Sequence, residues 1–301
     1  MSVIIPPIKS QGIKTKLVPK IMQLKPEFSG RWVEPFLGTG VVAFNSGSKN
    51  ALLSDINPHI INFYSKVQCG EINSINVREY LNKEGLNLRN EGENAAEYYK
   101  FIRKRFNTTF DSLDFLFLSR AGFNGMIRFN KSGKWNIPFC KKPERFDKSY
   151  ITKIVHQVEN CKAVMNENWI FENKDFRKII SEATEDDFIY CDPPYAGRYT
   201  DYYSGWTDKD EEDLFSLLSA TKAKFILSSW HHNNFRANDN LKKYEKKFNI
   251  ITQEHFYFAG AKEENRNAMT EALILNYDVP ENSTQEKEYY QNYLFPEAEL
   301  A

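Results

Sequence analysis

The chain has little that would point to metal, disulfide or membrane chemistry. Its four cysteines, Cys69, Cys140, Cys161 and Cys191, lie far apart with no Cys-x-x-Cys spacing. That pattern speaks against a zinc ribbon and a disulfide framework, and it fits a reducing cytoplasm. No apolar run approaches the roughly 18 residues of a membrane span, and the N-terminus lacks the apolar region of a signal peptide. Charge excess is missing too: 40 basic residues balance 40 acidic ones, so any polyanion must be met by local patches. There is no internal repeat and no metal-ligand spacing. The expectation for 301 residues is a soluble, cytoplasmic, monomeric protein of two domains or one large one.

What is present gathers around Tyr190-Cys191-Asp192-Pro193-Pro194-Tyr195, at the end of the apolar run Phe188-Ile189-Tyr190. A strand there delivers an acid, two prolines and an aromatic ring to its carboxyl end, where open α/β sheets place their ligand crevices. Pro193 and Pro194 fix their own φ angles and push the residue before each away from the helical region. Ionised Asp192 and the Pro193 carbonyl offer acceptors only. Two fixed acceptors beside an aromatic ring match a planar ring with an exocyclic amino group; a rigid turn after a strand is the plain alternative. Cys191 reads as a packing residue rather than a nucleophile.

Earlier in the chain, Arg31-Trp32-Val33-Glu34-Pro35-Phe36 predicts a short strand. It runs into Leu37-Gly38-Thr39-Gly40 and then the apolar Val41-Val42-Ala43-Phe44, expected to open a helix. Strand, glycine turn and helix make the first unit of a nucleotide-binding sheet, although the full three-glycine fingerprint is absent. The next strand, Ala51-Leu52-Leu53-Ser54, ends in Asp55, and Asn57-Pro58 predicts a helix start. An acid at that strand end suits a ribose diol, whose two hydroxyls a carboxylate accepts together; Asp55 as a cap of the next turn is the alternative. Lys9, Lys14, Lys16 and Lys20 form a basic N-terminal arm, either solvated or in contact with a phosphate or a cofactor carboxylate.

From about residue 70 to 165 the strand–helix alternation stops. Ala95–Phe106 and Asp111–Leu118 read as helices, and Ile127–Ile137 folds as a hairpin about Ser132 with Gly133 in the left-handed position. Arg128 then faces Asn136 and Asn130 faces Lys134 on a polar side, while Phe129 pairs with Trp135 on the other. That polar face is either a solvated surface or a reader of base edges and phosphates. The sheet pattern returns at Trp169–Phe176, followed by Phe188–Asp192, a helix from Asp208 capped by Thr207, and strands at Lys224–Ser228 and Thr270–Tyr277. The tail is polar and net acidic.

Taken in order, these residues resemble the Dam-like family of DNA adenine-N6 methyltransferases. The likeness runs from about Pro6 to Tyr277. It rests on Lys9 to Lys14, Glu34 to Gly40, Ser54-Asp55, Phe123-Asn124-Gly125 with the hairpin and Pro138-Phe139, Asn173 to Phe176, Asp192 to Tyr195, and Glu271 to Tyr277. The family's N-terminal Lys-Trp-Ala-Gly-Gly-Lys stands here as Lys9-Ser10-Gln11-Gly12-Ile13-Lys14, with Lys14 kept.

The resemblance implies an α/β fold, a doubly wound, seven-stranded, mostly parallel sheet with an inserted, mainly helical target-recognition domain carrying the hairpin. The expected division is core at 1–69 and 166–278, recognition domain at 70–165 and a tail at 279–301. It further implies methyl transfer from S-adenosylmethionine to N6 of an adenine flipped out of double-stranded DNA, within a restriction-modification system of bacterial cytoplasm. Asp192, Pro193, Pro194 and Tyr195 are the expected catalytic residues. Lys14, Glu34, Phe36, Gly38, Gly40, Asp55, Asp175 and Phe176 are expected at the cofactor. Asn124, Arg128, Asn130, Lys134 and Asn136 are expected on DNA, and no metal is expected. Companions expected in function are a restriction endonuclease or a second methyltransferase. Methylation of RNA or of a protein amide, and a catalytically silent binding module, remain as alternatives.

Overall fold

The computed structural model describes residues 2–195, 205–233, 238, 240–256 and 268–279. The stretch from Tyr199 up to Trp206 largely, and the acidic tail beyond Val279 entirely, lie outside the described residues. Among the described residues, seven strands form one sheet: β1 (Trp32–Glu34), β2 (Ala51–Ser54), β3 (Trp169–Glu172), β4 (Phe188–Cys191), β5 (Lys224–Asn233), β6 (Asn249–Phe256) and β7 (Ala268–Leu275). Their order is β3-β2-β1-β4-β5-β7-β6. Every pair from β3 to β5 is parallel, and β7 runs antiparallel to both β5 and β6. The order turns back between β1 and β4, so the crevice of a doubly wound sheet opens at the carboxyl ends of those two strands.

Strand parity sorts the side chains onto two faces. Trp32, Leu53, Phe188, Tyr190, Leu273 and Leu275 join one buried cluster, and Val33, Leu52, Ile189, Cys191, Ala272 and Ile274 join the other. Near-continuous apolar strands of this kind are what burial on both faces requires. The second face is covered by α7 (Phe176–Ser181), α8 (Asp208–Ala220) and α9 (Leu241–Glu245). The first is covered by α1 (Val18–Leu24) and α2 (Pro58–Cys69), and its cluster continues without a break into α3 (Ser74–Asn90), α4 (Ala95–Thr109), α5 (Ser112–Ala121) and α6 (Lys148–Val164). Residues 70–165 therefore hold helices and the hairpin, and share their apolar core with the sheet.

Caps explain where the helices begin. The Asn57 side chain accepts the His59 amide, with Pro58 in the first turn of α2. Thr207 and Asp210 make a reciprocal capping box at α8. Asp111, Asp147 and Asp175 cap α5, α6 and α7. After the glycine turn the structure departs from expectation: Val41–Phe44 opens no α-helix, only a single 3-10 turn at Ala43–Asn45. Gly47 and the start of β2 at Ala51 leave no length for more, and the apolar side chains are instead fully buried.

Candidate active site

The site grows from the carboxyl edge of β1 and β4. Glu34 ends β1 with the same parity as Trp32, so its carboxylate lies on the first face, where the Trp32 indole N–H donates to it at 3.0 Å. Burial lifts the Glu34 carboxyl well above the ordinary carboxylate range, and the nearby charges of Asp192 and Asp55 add to that rise. The chain then turns through Gly38 and Gly40, both at positive φ (51° and 76°). They differ in their surroundings. A Cβ on Gly40 would meet the Phe44 ring at 2.5 Å, whereas one on Gly38 would meet nothing within 4 Å. Gly38 thus faces open space at the mouth of the crevice.

Asp55, just beyond β2, reaches back to this turn. Its Oδ2 accepts the Gly38 amide at 2.8 Å and its Oδ1 accepts the Asn57 amide at 2.8 Å. The turn-capping function weighed from sequence is therefore present in the geometry, and each oxygen keeps further lone-pair capacity on the crevice side. Burial raises the Asp55 carboxyl to about 6 against the pull of those two amides. Asn173 ties the next strand end to the same place, donating to the Asp55 and Ile56 carbonyls at 2.7 and 3.0 Å. Asp175 caps α7 and pairs with Arg177 at 3.0 Å. Phe176 is buried and packs in tilted contact with Phe36 at 5.2 Å and Trp206 at 5.4 Å between centroids. Trp206 completes this aromatic wall.

Asp192 follows β4 and keeps 23% of its side chain exposed. Its partner is Lys14, whose Nζ stands 2.9 Å from Oδ1 and whose side chain is only 5% exposed. Burial raises the Asp192 carboxyl and the Glu271 charge pushes the same way, while Lys14 holds it down. Lys14 also lies 5.0 Å from the centre of the Tyr195 ring, within cation–π range. The Tyr195 hydroxyl donates to Glu271 Oε2 at 2.8 Å. Four carboxyl groups, from Glu34, Asp55, Asp192 and Glu271, and one lysine thus line one edge of the sheet. Of the basic arm, Lys14 is folded inward, so the solvated-arm alternative fails at that residue. Cys191 points to the other face, fully buried, with its thiol pushed well up by burial, which is the behaviour of an inert packing residue.

The arm also meets the helical region. Arg120 donates to the Pro7 carbonyl at 2.6 Å, and the Lys9 side chain lies across Gly125. The hairpin has the register read from its alternation: Phe129 bridges Trp135, and Asn130 and Lys134 are joined by a 2.9 Å backbone hydrogen bond. Phe129 stacks on His59 of α2 at 4.9 Å, which seats the hairpin against the sheet domain. Arg128, Asn130, Lys134 and Asn136 share the outer face, with Asn124 on the neighbouring turn at φ 52°. Three of them have side chains committed within the hairpin. Arg128 Nε donates to Asn136 Oδ1 at 2.9 Å, and Asn130 Oδ1 accepts the amides of Ser132 and Lys134, each at 3.0 Å.

The structure therefore brings Lys14, Glu34, Gly38, Asp55 and the Asp192–Tyr195 segment to one crevice, with Phe36 and Phe176 in its aromatic wall. The five hairpin-region residues stand apart as a second group. Glu271 and Trp206 were missed as site residues. Glu271 carried a signal, being the one charged residue in Ala268–Leu275; Trp206 carried none beyond its aromaticity.

A family model described as D12 class N6 adenine-specific DNA methyltransferase matches residues 10–258. A DNA adenine methylase of Vibrio cholerae (strain El Tor Inaba N16961) is 33% identical over 226 residues, which is 71% of this chain and 76% of that one. A DNA adenine methylase of Haemophilus influenzae is 32% identical over 196 residues, 64% of each chain. The type II methyltransferase M1.LlaDCHI of Lactococcus lactis subsp. cremoris is 28% identical over 289 residues, 89% of this chain and 94% of that one.

Proposed function

The chain belongs to the D12 class of N6 adenine-specific DNA methyltransferases, and from that premise we propose that it methylates N6 of an adenine extruded from double-stranded DNA, with S-adenosylmethionine as donor. The observation that carries this reading is the placing of Asp192 and Tyr195 at the β1/β4 crevice, next to the Gly38 turn. An adenine within a duplex cannot present its amino group to a donor, so it must leave the stack at a cost of a few kcal/mol. Tyr195 stacks on the extruded ring, which contributes roughly 1–3 kcal/mol per base. Asp192 and the Pro193 carbonyl accept the two N6 protons and so turn the nitrogen lone pair out of the ring system. Lys14 favours the ionised form of Asp192, which is an acceptor only, against the lift from burial, and shares Oδ1 when the base enters.

The residues fit the cofactor. Gly38 has open space where a side chain would otherwise stand, Asp55 presents two oxygens with lone pairs to spare for a ribose diol, and the acid-rich edge suits a cationic sulfonium. Asp55 would hold the ribose, Phe36, Asp175 and Phe176 the adenine side, and Gly38, Gly40, Glu34 and Lys14 the methionyl end. When bound, the cofactor supplies an electrophilic methyl group. The protein's contribution is then orientation.

Asn124, Arg128, Asn130, Lys134 and Asn136 are proposed to face DNA, Asn130 chiefly by shaping the loop. The likeness to a type II methyltransferase supports a place in a restriction-modification system, beside a nuclease of matching specificity, in bacterial cytoplasm. The test is transfer of labelled methyl from S-adenosylmethionine to unmethylated bacterial genomic DNA, followed by sequencing that detects modified bases. N6-methyladenine in one short motif, lost in Asp192→Ala, is the expected result. Label on RNA or protein but not on DNA would overturn the reading.

A further inference from the structure

We propose that Glu271 is a positioning residue for Tyr195, fixing the ring on which the extruded adenine stacks; this rests on the adenine-methylation reading above. Pro193 and Pro194 stiffen the backbone leading to Tyr195. They leave its two side-chain torsions free to turn. A hydrogen bond at the far end of the ring fixes the ring's axis, because the hydroxyl stays on a fixed acceptor only if the first torsion holds. Turning about that axis leaves the oxygen in place, and there the phenol's preference for an in-plane O–H favours one ring plane. Glu271 supplies that acceptor at 2.8 Å and is itself wholly buried, so it cannot follow a wandering ring.

Its location follows from topology. β7 is antiparallel to its neighbours, so its first residues lie where β4 and β5 end. Glu271 pairs with Trp230, three positions beyond the Leu227 that sits beside Cys191. Parity puts Glu271 on the same face as Leu273 and Leu275, which is also the face of Tyr190 and of the Lys14 arm. A buried carboxylate is costly unless it is hydrogen-bonded. The reversed strand brings the one acid of an otherwise uncharged run to the hydroxyl of the catalytic tyrosine.

The test is a double-mutant cycle on the full chain, read as methyl transfer to unmethylated genomic DNA at saturating cofactor. Tyr195→Phe and Glu271→Ala should each lower kcat on the order of ten-fold, because ordering of the ring then falls to the substrate complex. The KM for S-adenosylmethionine should stay within about two-fold. The double variant should be no slower than the slower single one, since both remove the same contact. Glu271→Gln, which still accepts the phenol proton, should restore most of the rate. Should Glu271→Ala fail to fold, Glu271→Leu takes its place in the cycle. Multiplying losses in the double variant, or a silent Tyr195→Phe, would overturn the positioning role while leaving adenine methylation by the parent intact. A parent chain that labels no DNA overturns the adenine reading itself, and this role with it.

Discussion

Replacing Lys14 by Met removes the charge that faces Asp192 at 2.9 Å while filling much the same buried volume. Unit charges at that distance attract by about 5–6 kcal/mol at an effective dielectric constant near 20, before desolvation is subtracted. Taking one partner from a buried pair costs about 3–5 kcal/mol. Asp192 keeps 23% of its side chain in water, so part of that loss is recovered, and about 2–3 kcal/mol is expected at pH 8. The sign with pH is defined. Burial raises the Asp192 carboxyl even with Lys14 present, and losing Lys14 raises it further. A carboxyl whose folded pKa lies above its unfolded value destabilises the fold as pH climbs from about 4 through the folded value. The Lys14→Met deficit should therefore grow from pH 4 to pH 8. It should vanish or invert below pH 4, where the parent keeps a buried lysine charge beside a neutral carboxyl. Urea unfolding of parent and variant at about pH 3.5, 6 and 8, on either side of the window, reads this directly. In the same variant the acid limb of the rate profile should move to higher pH. A deficit that is the same at all three pH values would show that the ion pair is not what Lys14 contributes.

Three further outcomes are expected. S-adenosylmethionine affinity, measured by calorimetry, should fall about ten-fold per pH unit below the Asp55 value of about 6, because the ribose needs an ionised acceptor; in Asp55→Asn the slope should disappear. Gly38→Ala should cost about 1 kcal/mol of stability from its positive φ but weaken cofactor binding more. Gly40→Ala should lose the larger amount of stability, because its Cβ would lie 2.5 Å from the Phe44 ring; thermal unfolding beside cofactor titration separates the two. Arg128→Ala should relax the methylated motif at one position with cofactor affinity unchanged, and Asn130→Ala should loosen the hairpin loop it caps, which sequencing of methylated DNA and hydrogen exchange at Ser132 and Lys134 distinguish.

Much of this was legible in the residues because it was local. Asn57-Pro58 and Thr207 announced helix starts through side chains that reach their own first turn. The hairpin alternation set Phe129 against Trp135 because strand side chains repeat with period two. Asp192, Pro193, Pro194 and Tyr195 declared a stiff, acceptor-rich turn from their covalent chemistry alone. The apolar Val41–Phe44 misled for the opposite reason: its burial is a matter of packing, and a single turn before β2 sufficed to hide it.

The pairings across the site were decided by the tertiary structure. Lys14 is 178 positions from Asp192, and Glu271 is 76 from Tyr195. No periodicity or propensity connects such residues, because their contact depends on strand order and on the direction of β7. The arm reaches Asp192 only because it crosses the first face of the sheet, and Glu271 reaches the carboxyl edge only because its strand is reversed. By itself the sequence determined which groups could do chemistry and how each bends its own backbone. Folding decided which carboxylate is neutralised by a lysine, which is lifted by burial and which holds a ring in place, since those properties depend on distance and dielectric rather than on residue type.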